Sequence, residues 1–265
     1  MSVQLQAPLS FLHSNKLTTQ TKFSKAAANY ASHANVQKQA AAHLFKMMAS
    51  KHQQGTCLDL GAGPLVNTAM LKTHFDTVLA MDLSHSMLST EQNPRCLKVC
   101  ADMDNLPLQQ SSLDCVFSNF AMQWSADLEA LLKNLFSALK AGGKVYLSCV
   151  VDGSLKEIKQ AFACLDEQNH INQFHSASHI IEYAKLAGFK LNFAADRCYI
   201  DAYNSPLEAL RSIKAIGATS LQTKQKRQGL LTRQALNSVC KAYPLVDGHA
   251  RVSYQVVLLE LEKKN

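Results

Sequence analysis

Cys57-Leu58-Asp59-Leu60-Gly61-Ala62-Gly63-Pro64 is the stretch that decides the fold. It has the pattern of an apolar strand that ends in a turn with two glycines, where the backbone can approach a ligand at the switch point of an open α/β sheet. The dinucleotide pattern GxGxxG would require a third glycine at position 66, and Val66 stands there. The aspartate two residues before Gly61 is also foreign to that pattern. The stretch therefore predicts an α/β fold and disfavours a nicotinamide dehydrogenase.

Strand-like and helix-like segments alternate on both sides of this turn. Such alternation is typical of right-handed βαβ units and a parallel sheet with both faces covered. We predict a Rossmann-like, mostly parallel seven-stranded sheet, with helical insertions after strand 5 and between the last two strands. The predicted strands are 56–60, 77–81, 96–100, 113–118, 144–151, 189–199 and 253–261.

The chain reads as one domain preceded by a flexible N-terminus. Tyr30, His33 and Gln37 share one face of a predicted helix, which is typical of a helix that covers a polar ligand or of a solvated face. The expected parts are a flexible segment 1–20 and a domain 21–265, divided into a covering helix 21–52, a ligand-binding core 53–151, and insertions 152–188 and 202–250 that cover the substrate.

Composition excludes several other classes of protein. With 265 residues, 47% hydrophobic and 18% charged, the chain is neither disordered nor a coiled coil. No apolar run approaches the roughly 20 residues of a membrane span, and no secretory leader is evident. The eight cysteines match no zinc or disulfide framework, so we expect reduced thiols, a cytoplasmic location and no membrane association.

Positive charge is concentrated in one segment. The net charge is +7, and residues 205–245 carry seven basic residues against the single acid Glu208. This pattern fits either an acidic partner or a solvated basic face. Nucleic acid is disfavoured because no aromatics are interleaved with the charges. The basic residues are Arg211, Lys214, Lys224, Lys226, Arg227, Arg233 and Lys241.

Polar side chains follow three further predicted strands at their carboxyl ends, where open α/β sheets bind ligands. Asp82 ends the second strand, and a carboxylate there can accept both hydroxyls of an adenosine ribose. Asp102 follows the third strand and can accept from an adenine amine, with Met103 beside it to lie on the ring. Asn119 follows the fourth. Together these residues predict a nucleoside pocket.

These motifs resemble those of the class I S-adenosylmethionine-dependent methyltransferases over residues 23–151. A narrower resemblance, to the malonyl-[acyl-carrier protein] O-methyltransferase family of biotin synthesis, extends into the insertions. It is carried by Phe23-Ser24-Lys25-Ala26-Ala27, Tyr30, His33-Ala34 and Gln37, by Phe117-Ser118-Asn119, Ala121 and Gln123-Trp124, by Gly153-Ser154-Leu155, by Leu210-Arg211, Ile213-Lys214 and Ile216-Gly217-Ala218, and by Leu231-Thr232-Arg233.

The resemblance implies methyl transfer from S-adenosylmethionine to the free carboxylate of a malonyl thioester on acyl carrier protein or coenzyme A. A carboxylate is already ionised at neutral pH, so no general base is expected, and no metal is expected. The basic segment would then guide an acidic carrier protein. The implied cofactor-binding residues are Asp59, Gly61, Gly63, Asp82, Leu83, Asp102, Met103 and Asn119.

The substrate ligands are less clearly marked. Tyr30 is a candidate positioning residue, and Trp124 fits either a pocket wall or the core. Lys133, Arg211 and Lys214 are candidate cations for the malonyl carboxylate, with a plain surface role as the alternative for each.

One position departs from the family pattern, because Leu65 stands where such methyltransferases usually carry a third glycine. Two alternatives therefore stay open. One is a methyltransferase for another small carboxylate or ring, and the other is a non-catalytic binding protein that no longer holds the cofactor. The sequence leaves the oligomeric state open.

Overall fold

The computed structural model describes residues 9–48, 53–90, 96–218 and 232–264. One sheet runs in the order β3-β2-β1-β4-β5-β8-β6, with the short β7 paired to β8. The first five strands are parallel, and β8 is antiparallel to both β5 and β6. The strands are β1 Gln53–Leu60, β2 Phe75–Asp82, β3 Leu97–Cys100, β4 Leu113–Asn119, β5 Leu139–Val150, β6 Lys190–Tyr203, β7 Leu245–Val246 and β8 His249–Glu262. The predicted Rossmann-like fold class is confirmed.

Helices cover both faces of this sheet. Successive strand residues alternate between two cores: Cys57 and Phe117 face one side, whereas Leu58 and Val116 face the other. Helices α2, α6, α8 and α9 pack on the first face, and α5 and α7 pack on the second. The helices are α1 Leu9–His33, α2 Asn35–Met47, α3 Thr68–His74, α4 His85–Leu88, α5 Leu128–Ala138, α6 Lys156–Phe162, α7 Ala177–Leu186, α8 Pro206–Ala215 and α9 Arg233–Ala242.

Helices α8 and α9 begin at conventional side-chain caps. Ser205 accepts a hydrogen bond from the Glu208 amide and Pro206 follows at the first helical position, as the capping-box pattern predicts for α8. Thr232 caps α9 through the Ala235 amide. Both helices therefore begin where a polar side chain satisfies a free amide of the first turn.

The N-terminal region differs from the sequence-based expectation. Helix α1 begins at Leu9, so the prediction of a flexible segment over 1–20 is wrong for residues 9–20, while residues 1–8 lie outside the described ranges. The single covering helix predicted for 21–52 is two helices, separated at Ala34. Residues 9–20 lack an apolar repeat, and the contacts described below that anchor this part of α1 are polar contacts of Lys16 and Gln20 to residues at distant strand ends.

No helix in the described part of the chain is long and apolar enough to cross a membrane.

Candidate functional site

The glycine turn after β1 forms one wall of a cavity of about 260 Å³ at the carboxyl ends of the strands. The Gly61 amide donates to the Met81 carbonyl at 2.8 Å. A side chain at Gly61 would collide with Ala121, because an added Cβ would lie 2.2 Å from the alanine Cβ. Gly63 has φ +53 and open space on its Cβ side, where a ligand can approach the backbone.

Asp82, at the end of β2, ties this turn to the neighbouring strand. Its Oδ2 accepts from the Gly63 amide at 2.9 Å, and its Oδ1 accepts from the Ser84 amide at 2.8 Å. Burial raises the pKa of Asp82, and the two backbone hydrogen bonds partly offset that rise. The carboxylate lines the cavity in a fixed orientation, with lone pairs left to accept from a ligand.

Asp59 lies beneath the turn and does not line the cavity. Its Oδ2 is buried and has no hydrogen-bond partner within the described residues. Burial and the nearby Asp82 charge raise the pKa of Asp59 to about 7, while Thr68 acts in the opposite direction. Asp59 is therefore a buried carboxyl group next to the turn, whose negative charge is energetically costly, and it is not part of the cavity wall.

The remaining predicted cofactor residues line the same cavity: Leu83, Asp102, Met103 and Asn119. Asp102 Oδ1 accepts from the Asp104 amide at 3.0 Å, which fixes its carboxylate. Both ends of the Asn119 amide are engaged, Nδ2 with the Gln37 carbonyl at 3.0 Å and Oδ1 with the Ser148 hydroxyl at 2.7 Å. Asn119 thus fastens α2 to the strand ends.

Helix α1 covers this cavity and contributes residues that the sequence analysis missed. Lys16 forms ion pairs with Asp102 and, at 2.6 Å, with Asp104. Burial lowers the pKa of Lys16, but the hydrogen bonds and charges of the two carboxylates outweigh it and leave the pKa raised. Gln20 Nε2 donates to the Leu83 carbonyl at 2.8 Å.

The sequence does contain one pattern that could have identified α1 as a cover, namely the helical spacing of the residues that line the cavity. Lys16, Gln20, Phe23 and Tyr30 all line the cavity and share one helical face. This pattern begins in a segment without apolar periodicity. It can therefore be interpreted only when the strand-end residues on the other side of the cavity are known.

Leu65, the departure from the family pattern, points into the fold. It has φ +62, the left-handed conformation that favours glycine, yet its side chain is 3% exposed and packs with Ala62, Ala80 and Leu88. It does not line the cofactor-side cavity. The extra side chain therefore takes up no ligand space.

A second cavity of about 250 Å³ adjoins the first. Phe23, Tyr30, Phe120 and Trp124 line both cavities, and the Phe23 and Trp124 rings meet edge to face at 5.3 Å between centroids. Most of its other walls are apolar and come from the insertions, including Leu155, Ile158, Phe162, Leu210, Ile213 and Leu236. The predicted residues Tyr30 and Trp124 therefore stand between the two cavities.

The three candidate substrate cations do not reach either cavity. Lys133 lies exposed on α5 and pairs with Glu129 at 2.6 Å. Arg211 and Lys214 lie exposed on α8, whose buried side carries Ile213. Of the basic residues predicted for the carrier, Lys224, Lys226 and Arg227 lie outside the described ranges.

No group of three or more His, Cys, Asp or Glu side chains in the described ranges could hold a metal ion.

The glycine turn that is open toward the cavity and the oriented Asp82 carboxylate fit the nucleoside and amino-acid parts of S-adenosylmethionine. A family model described as a methyltransferase domain matches residues 58–147. Among solved structures, the YcgJ protein from Bacillus subtilis shares the fold with a TM-score of 0.61 at 13% identity, covering 86% of this chain and 99% of that one. The fold and the site define a class I S-adenosylmethionine-dependent methyltransferase.

Two curated relatives define the family more narrowly. The malonyl-[acyl-carrier protein] O-methyltransferase of Yersinia pestis is 31% identical over 252 residues, covering 93% of this chain and 91% of that protein. The biotin biosynthesis bifunctional protein BioHC of Cellvibrio japonicus is 33% identical over 224 residues, covering 83% of this chain and 44% of that protein. The chain belongs to the malonyl-[acyl-carrier protein] O-methyltransferase family.

Proposed function

We propose that this methyltransferase methylates the free carboxylate of a malonyl thioester carried by acyl carrier protein, an early step of biotin synthesis. The observation that carries the proposal is the pair of adjoining cavities, one with the features of a nucleoside site and one apolar, that share Tyr30, Phe120 and Trp124. The names of the relatives support the choice of substrate.

The first cavity suggests roles for most of the predicted cofactor residues. Asp82 would accept the ribose hydroxyls, and Asp102 would accept from the adenine amine while Met103 packs on the ring. The backbone of Gly61 and Gly63 would lie against the methionine part of the cofactor. Asp59 would act indirectly, by supporting the turn.

The chemistry needs alignment more than acid or base. When bound, S-adenosylmethionine supplies a methyl group on a cationic sulfonium: a carboxylate oxygen lone pair forms the new O–C bond, the S–C electron pair returns to sulfur, and no proton moves. The chain contributes position, because the shared aromatic wall aligns donor and acceptor and excludes water. The shared Tyr30 would face the reacting groups.

Basic residues on the outer surfaces of α8 and α9 support the proposal that the partner is an acidic carrier protein. Arg211 and Lys214 are exposed on α8, and Arg233 and Lys241 are exposed on α9. The inner faces of the same helices supply Leu210 and Leu236 to the second cavity, among other residues. An acidic carrier attracted to this basic surface would therefore arrive beside the cavity that receives its acyl group.

The direct test is a methyl-transfer assay on three substrates: malonyl-acyl carrier protein, malonyl-coenzyme A and free malonate. We expect a mass gain of one methyl group on the carrier-bound substrate, with the highest kcat/KM of the three. Methylation of free malonate alone would favour the alternative of a small-carboxylate methyltransferase. Cofactor binding without any methylation would refute the proposed substrate.

A charge-reversal pair tests the docking surface. Arg211→Glu with Lys214→Glu should raise KM for the carrier-bound substrate and leave KM for malonyl-coenzyme A unchanged. Lys46→Glu with Lys185→Glu changes the charge equally at two other exposed lysines and serves as the matched control. Equal effects of the two pairs would mean that the surface plays no specific role.

We also propose a cytoplasmic location. The eight cysteines all lie within the described residues and none is in a disulfide bond, which is the form that a reducing compartment maintains.

A further inference from the structure

We propose that the malonyl carboxylate is held by three uncharged hydrogen-bonding side chains, those of Tyr30, Gln37 and Tyr254. The inference rests on the proposed function and adds the recognition of the substrate to it. Of the three, only Tyr30 was a substrate candidate from the sequence. Gln37 and Tyr254 are new assignments.

All three side chains line the second cavity. Gln37 is 6% exposed and Tyr254 is 7% exposed, and Tyr30 stands at the junction of the two cavities. In the described ranges, none of the three side chains makes a hydrogen bond, although the main-chain carbonyl of Gln37 accepts from Asn119. Gln37 and Tyr254 are largely buried and Tyr30 is partly exposed, and because all three line the cavity, their unpaired hydrogen-bonding groups are available to a polar ligand there.

Three separate elements bring these groups together. Tyr30 comes from α1, Gln37 from α2 after the break at Ala34, and Tyr254 from β8. The Tyr254 ring packs at 6.1 Å from the Phe120 ring, which is itself part of the wall between the cavities. The hydrogen-bonding groups are therefore placed next to the cofactor-side cavity, where the carboxylate must present an oxygen.

No lysine or arginine among the described residues lines the second cavity. His170 is the basic side chain that does, and its Nε2 lies 2.7 Å from Asp166 Oδ1 while its ring stacks on Phe162 at 4.3 Å. The Asp166 carboxylate balances any positive charge on that imidazole. The walls that surround the three groups are otherwise largely apolar.

Uncharged donors suit this reaction better than a cation does. The carboxylate loses its negative charge as the methyl ester forms, so an ammonium or guanidinium group would stabilise the substrate more than the transition state. Two hydroxyls and an amide can orient both carboxylate oxygens while leaving one nucleophilic. The same donors bind a neutral ester more weakly, which favours product release.

The test compares three conservative variants with a matched control. Tyr30→Phe, Gln37→Met and Tyr254→Phe each remove a donor with little change of volume. Each should lower kcat/KM for malonyl-acyl carrier protein by roughly tenfold or more. The Kd for S-adenosylhomocysteine should be unchanged in Gln37→Met and Tyr254→Phe, because these two residues do not line the cofactor-side cavity. Tyr199→Phe is the control, because the Tyr199 hydroxyl bonds His43 Nδ1 at 2.8 Å and lines neither cavity.

A fourth variant separates the uncharged site from a general anion site. Gln37→Lys should lower KM and also lower kcat, since it stabilises the carboxylate before reaction. Wild-type kcat/KM in folded Gln37→Met and Tyr254→Phe variants would overturn the inference while the proposed function stands. Absence of methylation by the wild-type protein would instead overturn the proposed function, and this inference with it.

Discussion

Asp82 is the residue whose replacement most directly tests the cofactor site. In Asp82→Asn, Oδ1 can still accept from the Ser84 amide, but the new Nδ2 faces the Gly63 amide, so that two donors oppose each other. The substitution therefore removes the charge offered to the ribose and one bond that shapes the glycine turn. Both losses weaken cofactor binding.

The expected size follows from the hydrogen bonds. A hydrogen bond to a charged group contributes about 1.5–3 kcal/mol, and each 1.4 kcal/mol is about tenfold in Kd. The Kd for S-adenosylhomocysteine, measured by calorimetric titration, should therefore rise about 10- to 150-fold. Wild-type affinity should also fall as pH falls through the raised pKa of Asp82, whereas that pH dependence should be absent from the variant.

Asp114→Asn is the matched control for this substitution. Asp114 also accepts from a backbone amide, that of Thr56 at 2.8 Å, but it pairs with Lys140 and does not line the cofactor-side cavity. We expect this variant to keep wild-type affinity. A folded Asp82→Asn protein with the affinity of the Asp114→Asn protein would refute the assignment of Asp82.

Three further predictions follow from buried or covering residues. Asp59 has a pKa of about 7 in the folded chain, so the native state binds a proton more tightly than the unfolded state does. The free energy of unfolding should therefore fall as pH rises from about 4 to about 7, and Asp59→Asn should remove that slope in denaturation experiments. Leu65→Gly relieves the positive φ but loses a buried side chain, so the free energy of unfolding should fall by about 1–4 kcal/mol while S-adenosylhomocysteine affinity is unchanged. Lys16→Met removes the ion pairs of α1, worth about 1 kcal/mol in total at this partial exposure, so stopped-flow release of S-adenosylhomocysteine should be about fivefold faster.

Each of these has a contradicting result. Parallel pH profiles of wild-type and Asp59→Asn proteins would mean that the carboxylate is not a costly buried charge. Loss of cofactor binding in a folded Leu65→Gly protein would mean that Leu65 shapes the site itself. An unchanged release rate in Lys16→Met would mean that α1 does not control exit from the cavity.

The sheet and the strand-end residues could be predicted because their signal is local. Asp82 and Asp102 directly follow short apolar runs, and the carboxyl ends of parallel strands share one edge of the sheet. Their convergence therefore follows from topology. Gly61 and Gly63 are equally local, since their positive φ is a property of the turn.

The position of helix α1 over the cavity and the outward placement of Arg211 and Lys214 could not be predicted in this way. Lys16 is fixed by Asp102, which lies 86 positions away, and no periodicity in residues 9–20 records that contact. Arg211 and Lys214 have the charge that a carboxylate site would use, but burial of Ile213 turns their side of α8 outward. The positive charge of Arg211 and Lys214 therefore predicts an acidic partner, but the sequence does not show whether that partner is a substrate in the cavity or a molecule at the surface. The buried face of α8 places both side chains at the surface.

Helix α1 connects the two halves of the site. Its first part, with Lys16 and Gln20, is fastened over the cofactor-side cavity, and its later part supplies Phe23 and Tyr30 to the wall shared with the second cavity. A rigid helix cannot lift from one cavity without moving the wall of the other. Because Tyr30 is one of the groups proposed to hold the carboxylate, closure over the cofactor also sets the position of the substrate. The polar contacts of Lys16 therefore bear on methyl transfer although they lie on the cofactor side.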